Sequence, residues 1–342
     1  QDYRNWLVRV EGYLAWMQSA EDNMRKGIEK GWVLPISLIK KVIPQLAQMV
    51  TETVEEHLFY TPIKNLPDSF DEADKENFTT AYTALIQDKV IPAYHRLYDF
   101  MAGEYLAAGR KSSGFDALEG GTDYYQHAIK RYTTTNMTPE EIHQLGLSEV
   151  ARIRTEMEAV KAEVGFKGDL LAFFDHVRTA AALMPFDVAQ QVIDNFNAIQ
   201  QRVIPKVNQL FSLQPKTPFE VRRTEAFREA SASAEYNSGS LDGTRPGIFY
   251  VPIRDVATYN VHQDEDLFLH EAIPGHHFQI SLQQENTALP SFRKNLWYSA
   301  FGEGWALYTE SLGKELGLYE DPYQYFGMLA AEMHRALSLI HI

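Results

Sequence analysis

His270-Glu271-Ala272-Ile273-Pro274-Gly275-His276-His277 gathers three of the chain's eleven histidines into eight residues, and its reading decides how the rest is arranged. In the HExxH zinc motif two histidines one helical turn apart meet one metal, and the adjacent Glu serves as general base. Here the second His is displaced by two residues. On an ideal helix His276 lies about 240° around from His270, at roughly 100° per residue, which is the wrong face. Pro274 removes a backbone hydrogen bond and Gly275 tolerates unusual dihedrals, so the pair predicts a two-residue bulge that returns His276 to the ligand position.

Upstream, Asp264-Glu265-Asp266-Leu267-Phe268-Leu269 suits the acidic first turn and apolar face of a helix leading into the motif. Downstream, Ser299-Ala300-Phe301-Gly302-Glu303-Gly304-Trp305-Ala306-Leu307-Tyr308-Thr309-Glu310 offers two acids seven apart, hence on one face of one helix in an apolar stretch. Acids there cost several kcal/mol unless paired or metal-bound. Glu303, flanked by glycines, is the expected third ligand, and Glu310 is expected to be a supporting residue or alternative ligand, or else a solvated acid at the helix end. A helix–loop–helix joining 263–285 to 291–317 brings the two motifs together.

Further outward the periodicity is helical. Trp6, Val10, Tyr13, Leu14, Met17 and Met24 recur at three and four until Gly31, and residues 37–52, 71–108 and 123–132 continue the series around Pro44 and Pro92. Thr138-Pro139-Glu140-Glu141 is a helix start with a hydroxyl cap, proline at the first position and acids against the dipole. Residues 169–183 and 186–211 follow. The pattern changes only between Phe219 and Ile253, where 219–223 and 248–253 read as short strands flanking a Gly, Ser and Asp-Gly loop. The fold class is therefore mainly α: a large helical stack with a small antiparallel β element beside the metal-site helices. Residues 1–215 form the helical region and 216–342 the metal-site region of one continuous domain.

Composition narrows the chemistry. The chain has 342 residues, a net charge of −14 and no cysteine. Disulfides, zinc ribbons, iron–sulfur clusters and thiol nucleophiles are excluded, and any metal must sit on His and carboxylate. The negative charge argues against nucleic acid, and no run is long and apolar enough to span a membrane. No GxxxxGK, GxGxxG or GxSxG motif occurs. The chain opens at Gln1 and ends in an uncapped apolar run, which predicts a piece of a longer protein, truncated at the C-terminus. No role is given to His341.

HEAIPGHHFQ followed by FGEGWALYTESLG, with YTTTNMTPEEIHQLGLSEVARIRTEM and SLDGTRPGIFYV upstream, resembles the bacterial family filed as domain of unknown function 885, from about residue 120 to 337. More distantly, HE, Gly-His and a downstream Glu resemble angiotensin-converting-enzyme-like and dipeptidyl-peptidase-III-like enzymes. The resemblance implies a gluzincin-like, mostly helical fold, a single zinc, and hydrolysis of a peptide or related amide. It slightly favours an extracytoplasmic location, periplasmic or lipid-anchored.

The expected centre has His270, one of His276 or His277, and Glu303 holding Zn²⁺, with Glu271 as base; His276 is favoured by the Gly before it. His277 is then a supporting residue or the alternative ligand. Tyr236, Arg245 and Tyr250 surround the strand before the motif helix and are candidate substrate contacts by edge addition. His57, His95, His127, His143, His176 and His262 lack ligand-like spacing; His334, beside Arg335, is a weaker site candidate. Two rival readings stand. A non-haem iron oxygenase uses the same two-His, one-carboxylate set but leaves Glu271 idle. A pseudoenzyme binds a peptide through the same groove without cleaving it.

Overall fold

A computed structural model describes residues 1–230 and 232–340, so His341 lies outside the described residues. The chain divides into two units, Gln1–Tyr125 and Gln126–Ile342. In the first, helix Asp2–Glu29 stops at Gly31, whose φ of 71° suits a residue without Cβ. The helical run expected over 71–108 around Pro92 is continuous from Glu72 to Ala108. It carries two wide turns, Ile86–Val90 and Met101–Tyr105, and the first immediately precedes the segment beginning Ile91-Pro92. A widened turn accommodates the missing proline N–H without breaking the rod. Val10 and Met17 pack on Leu85, Val90 and Tyr94, while buried Glu21 is bound by Arg25 and Arg96 at 2.6 and 3.2 Å.

In the second unit, Thr138 caps helix Pro139–Glu163 reciprocally with Glu141: the Glu141 N–H donates to the Thr138 hydroxyl, and the Thr138 N–H donates to the Glu141 carboxylate. This helix lies along the closing helix, Pro322–Ile340, closely enough that a Cβ on Gly146 would meet Leu339 and Ile340 side chains at 2.9 Å. The core joins Phe173, Phe196, Phe249, Phe268 and Phe326, all buried, with Phe173 edge-on to Phe326 and Phe196 edge-on to Phe249.

The β element contains strands β1 (Phe219–Arg223), β2 (Glu235–Asn237) and β3 (Gly247–Val251), in the order β1-β3-β2. It is mixed, which corrects the antiparallel expectation. β1 runs parallel to β3, with Phe219 opposite Gly247, and only β2 is antiparallel, with Tyr236 opposite Phe249. The Gly/Ser loop therefore joins β2 to β3, and a helical turn at Ala226–Glu229 lies on the crossover from β1. The change of pattern near 215 falls inside this unit, where β1 packs on helix Ala189–Leu210.

Candidate metal centre

The bulged helix expected over 263–285 is instead two helices. The HE helix, Asp264–Glu271, ends where the Ala272 N–H donates to the Phe268 carbonyl, and the GHH helix, His276–Glu285, begins after Gly275. Between them Ala272 sits at φ −110°, ψ −105°, and the Ile273–Pro274 peptide is cis. The break reorients the second helix, so helical phase no longer dictates where His276 points. Gly275 permits it: a Cβ there would lie 1.9 Å from the His270 carbonyl oxygen and 2.2 Å from that of Leu269. The His270 and His276 rings consequently meet edge-on, 4.7 Å between centroids.

Glu303 reaches the same point from helix Ser299–Ser311. One of its oxygens is 3.5 Å from His270 Nε2 and the other 3.8 Å from His276 Nε2. Among the described residues, His270, His276 and Glu303 form a group whose ligand atoms all lie within 4.8 Å of one another, so this set could hold a metal ion. The group offers two imidazoles and one carboxylate, and half of the Glu303 side chain is open to solvent. Burial, reinforced by the charge of His270, pushes His276 down to about 4 and keeps its ring neutral.

Glu310 lies behind His270. It is buried, its Oε1 is 2.6 Å from His270 Nδ1, and its Oε2 accepts from Arg335. A ring nitrogen engaged with a carboxylate presents the other nitrogen to a metal in fixed orientation. Asp266, one turn before His270 on the HE helix, is also buried.

Glu271 does not belong to this three-residue group. It lines a cleft of about 390 Å³ with Ala234, Glu235, Tyr236, His270, His276, Ile280, Trp297 and Glu303. Burial, opposed by the positive charge of His270, pushes the Glu271 carboxyl up to about 7, and the backbone N–H of Tyr236 donates to it. The Trp297 indole forms a wall of the cleft, edge-on to His276 at 5.7 Å, and lies directly over Gly302.

The remaining candidates lie elsewhere. His277 turns away from the cleft into the sheet, with Nδ1 3.0 Å from the Tyr236 hydroxyl and its ring against Phe219. A Cβ on Gly247 would meet both His277 and Tyr236, at 2.7 and 2.3 Å. Tyr236 thus lines the cleft while its hydroxyl is committed to His277. Arg245 is exposed on the β2–β3 loop, and Tyr250 stacks under Arg228; neither lines the cleft. His334 is exposed, whereas its neighbour Arg335 reaches Glu310. Sequence reasoning missed Trp297, Arg335 and the burial of Asp264, Glu265 and Asp266. These acids do not greet solvent. Asp264 accepts from the Tyr259 hydroxyl and Asn195, and Glu265 pairs with Arg202 and the Tyr319 N–H. A charged run abutting a motif helix was the available signal; its partners are too distant in sequence to be read.

A family model described as "Bacterial protein of unknown function (DUF885)" matches residues 1–341. No curated protein matches the chain. Among solved structures, "The crystal structure of the putative lipoprotein from Colwellia psychrerythraea" is similar at 28% identity and a TM-score of 0.93, covering 99% of this chain and 59% of that one. The chain therefore spans less than two thirds of that protein's length. No described helix is long and apolar enough to cross a membrane.

Proposed function

We propose that the chain, which belongs to the DUF885 family of bacterial proteins, is a zinc-dependent, gluzincin-type hydrolase that cleaves a peptide or related amide bond. The observation that carries this reading is the pairing of a His270, His276 and Glu303 ligand set with Glu271, a buried carboxyl in the same cleft that is not a ligand.

His270, His276 and Glu303 would hold the ion, whose chemistry is to acidify a water and polarise the scissile carbonyl. Glu271 accepts the water's proton at a carboxylate oxygen as the water attacks, then delivers it to the leaving nitrogen. Burial favours the protonated form of Glu271, which suits the return of the proton to the leaving group. Glu310 holds His270 from behind, so the ligand does not rotate as charge develops. β2 is the end strand of the sheet, and Ala234 to Tyr236 line the cleft, so an extended peptide can pair along that strand with its scissile bond at Glu271. Trp297 forms one wall of the cleft. An iron oxygenase would leave Glu271 without a role. The lipoprotein description of the Colwellia structure supports an extracytoplasmic location.

The test is metal analysis of protein purified without chelator, combined with digestion of a mixed peptide library read by mass spectrometry. One zinc per chain and cleavage that stops with chelator and returns with zinc are expected. Stoichiometric iron, or no bound metal, would contradict the reading, and zinc without cleavage would favour a binding protein.

A further inference from the structure

We propose that Arg335 is a positioning residue of the metal centre, acting through Glu310 on the ligand His270; the inference rests on the functional reading above. Glu310 is 2% exposed and all its polar groups point inward. Oε1 faces His270 Nδ1 at 2.6 Å, Oε2 takes the Arg335 guanidinium, and the backbone carbonyl accepts from the Tyr319 hydroxyl at 3.0 Å. Asp266, 4% exposed on the turn before His270, brings a second carboxyl to the same place, and its Oδ1 has no hydrogen-bond partner. Two acids withdrawn from water next to each other are costly unless a cation compensates them.

Arg335 is placed to be that cation. It projects from the closing helix into a cavity of about 520 Å³ behind the metal centre, lined also by Leu307, Lys314, Met328 and Arg152. The other cations there are engaged elsewhere. Arg152 is bound by Glu149, Glu156 and Glu332 at 2.7, 2.7 and 2.5 Å, and Lys314 sits 3.9 Å over the Tyr325 ring. The single contact of Arg335 with Oε2 holds the carboxylate so that Oε1 faces His270, which favours the ring orientation that presents Nε2 towards Glu303. Removing the guanidinium leaves Glu310 free to turn towards the cavity and admits water behind His270.

Arg335→Met, Arg335→Gln, Arg335→Lys and Arg152→Met are compared in the whole chain. Zinc affinity is read by competition with a chromogenic chelator, and ligand geometry by the visible spectrum of the cobalt-substituted protein. Arg335→Met and Arg335→Gln should bind zinc about 10- to 100-fold more weakly, with an altered cobalt spectrum. Arg335→Lys, which keeps the charge at a single contact, should stay within about threefold of wild type, as should Arg152→Met from the same cavity. The Gln variant keeps the comparison with Lys intact if Arg335→Met does not fold. Wild-type affinity and spectrum in Arg335→Gln, or an equal loss in Arg152→Met, would overturn the inference. A wild-type protein that binds no metal would overturn the functional reading instead.

Discussion

The Trp305 indole N–H donates to the carbonyl oxygen of Pro274 at 2.8 Å. Trp305 stands two residues after Glu303, and Pro274 lies in the break between His270 and His276, so one hydrogen bond ties the third ligand's helix to the turn that separates the other two. Pro274 is buried. Trp305→Phe keeps the packing against Phe211 but leaves that carbonyl unpaired, and should lower stability by about 1–3 kcal/mol. Chemical denaturation measures the loss. Zinc affinity should fall with it, and a variant with unchanged stability and affinity would contradict the coupling.

Gly275 is the other hinge of the arrangement. Its missing Cβ would collide with backbone, the carbonyl oxygens of His270 and Leu269, and backbone cannot swing aside as a side chain can. Gly275→Ala should therefore cost about 1–3 kcal/mol and displace His276 from His270. Gly302→Ala is the instructive contrast. Its Cβ would meet the ring of Trp297, a half-exposed side chain able to shift, so zinc binding should survive while the cleft wall moves. Parallel zinc titrations of the two variants separate these outcomes.

These two glycines mark how much was legible in the sequence. His270, Glu271, His276 and Glu303 stand out because motif spacing is local, and the Thr138 cap and the ends of β1 are local too, whereas β3 runs over Gly247–Val251 and not 248–253. Pro274 and Gly275 announce an interruption, but whether a helix bulges or breaks there depends on what packs around it, including Trp305 thirty-one residues on. β2 escaped because Glu235-Tyr236-Asn237 is short and polar; only pairing with β3 makes it a strand. Asp264-Glu265-Asp266 reads as the acidic first turn of a helix, but its burial is not legible because Asn195, Arg202 and Tyr319, which engage Asp264 and Glu265, come from distant segments. Arg335 was invisible for the same reason.

His262 supplies a pH dependence. Burial pushes it down to about 4 from an ordinary value of 6.5, with Nδ1 2.7 Å from Asn260 Oδ1. The fold thus favours the neutral ring. The stability it contributes is complete above pH 6.5 and is lost as pH falls towards 4, because the unfolded chain takes up the proton first. The loss from this residue should reach about 3 kcal/mol. Asp264 works in the opposite sense: burial raises it from 3.8 to about 8, so its contribution is complete below pH 3.8 and is lost as pH rises from there to about 8. The diagnostic is therefore the difference between wild type and His262→Gln. The variant's stability should fall less steeply between pH 6.5 and 4, and parallel profiles would contradict the assignment.

The adjacent histidines should separate cleanly. His276 faces Glu303, whereas His277 is bound to Tyr236 against the sheet. His276→Ala should lower zinc affinity by orders of magnitude with little change in fold. His277→Ala should retain zinc and lower the melting temperature, since it vacates a buried site and unpairs the Tyr236 hydroxyl. Zinc titration and thermal unfolding of both variants decide it, and the reverse pattern would make His277 the ligand.

The most direct measurement is turnover of Glu271→Gln at full zinc occupancy. Glu271 shares the cleft with His270, His276 and Glu303 but is not one of the proposed ligands, so on the proposed reading replacing its carboxylate removes the proton carrier without removing a donor. Zinc stoichiometry should match wild type, while cleavage of whichever library peptide the wild type cuts should fall by at least about 10²-fold. Undiminished cleavage, or loss of zinc together with activity, would contradict the division of labour on which the account stands.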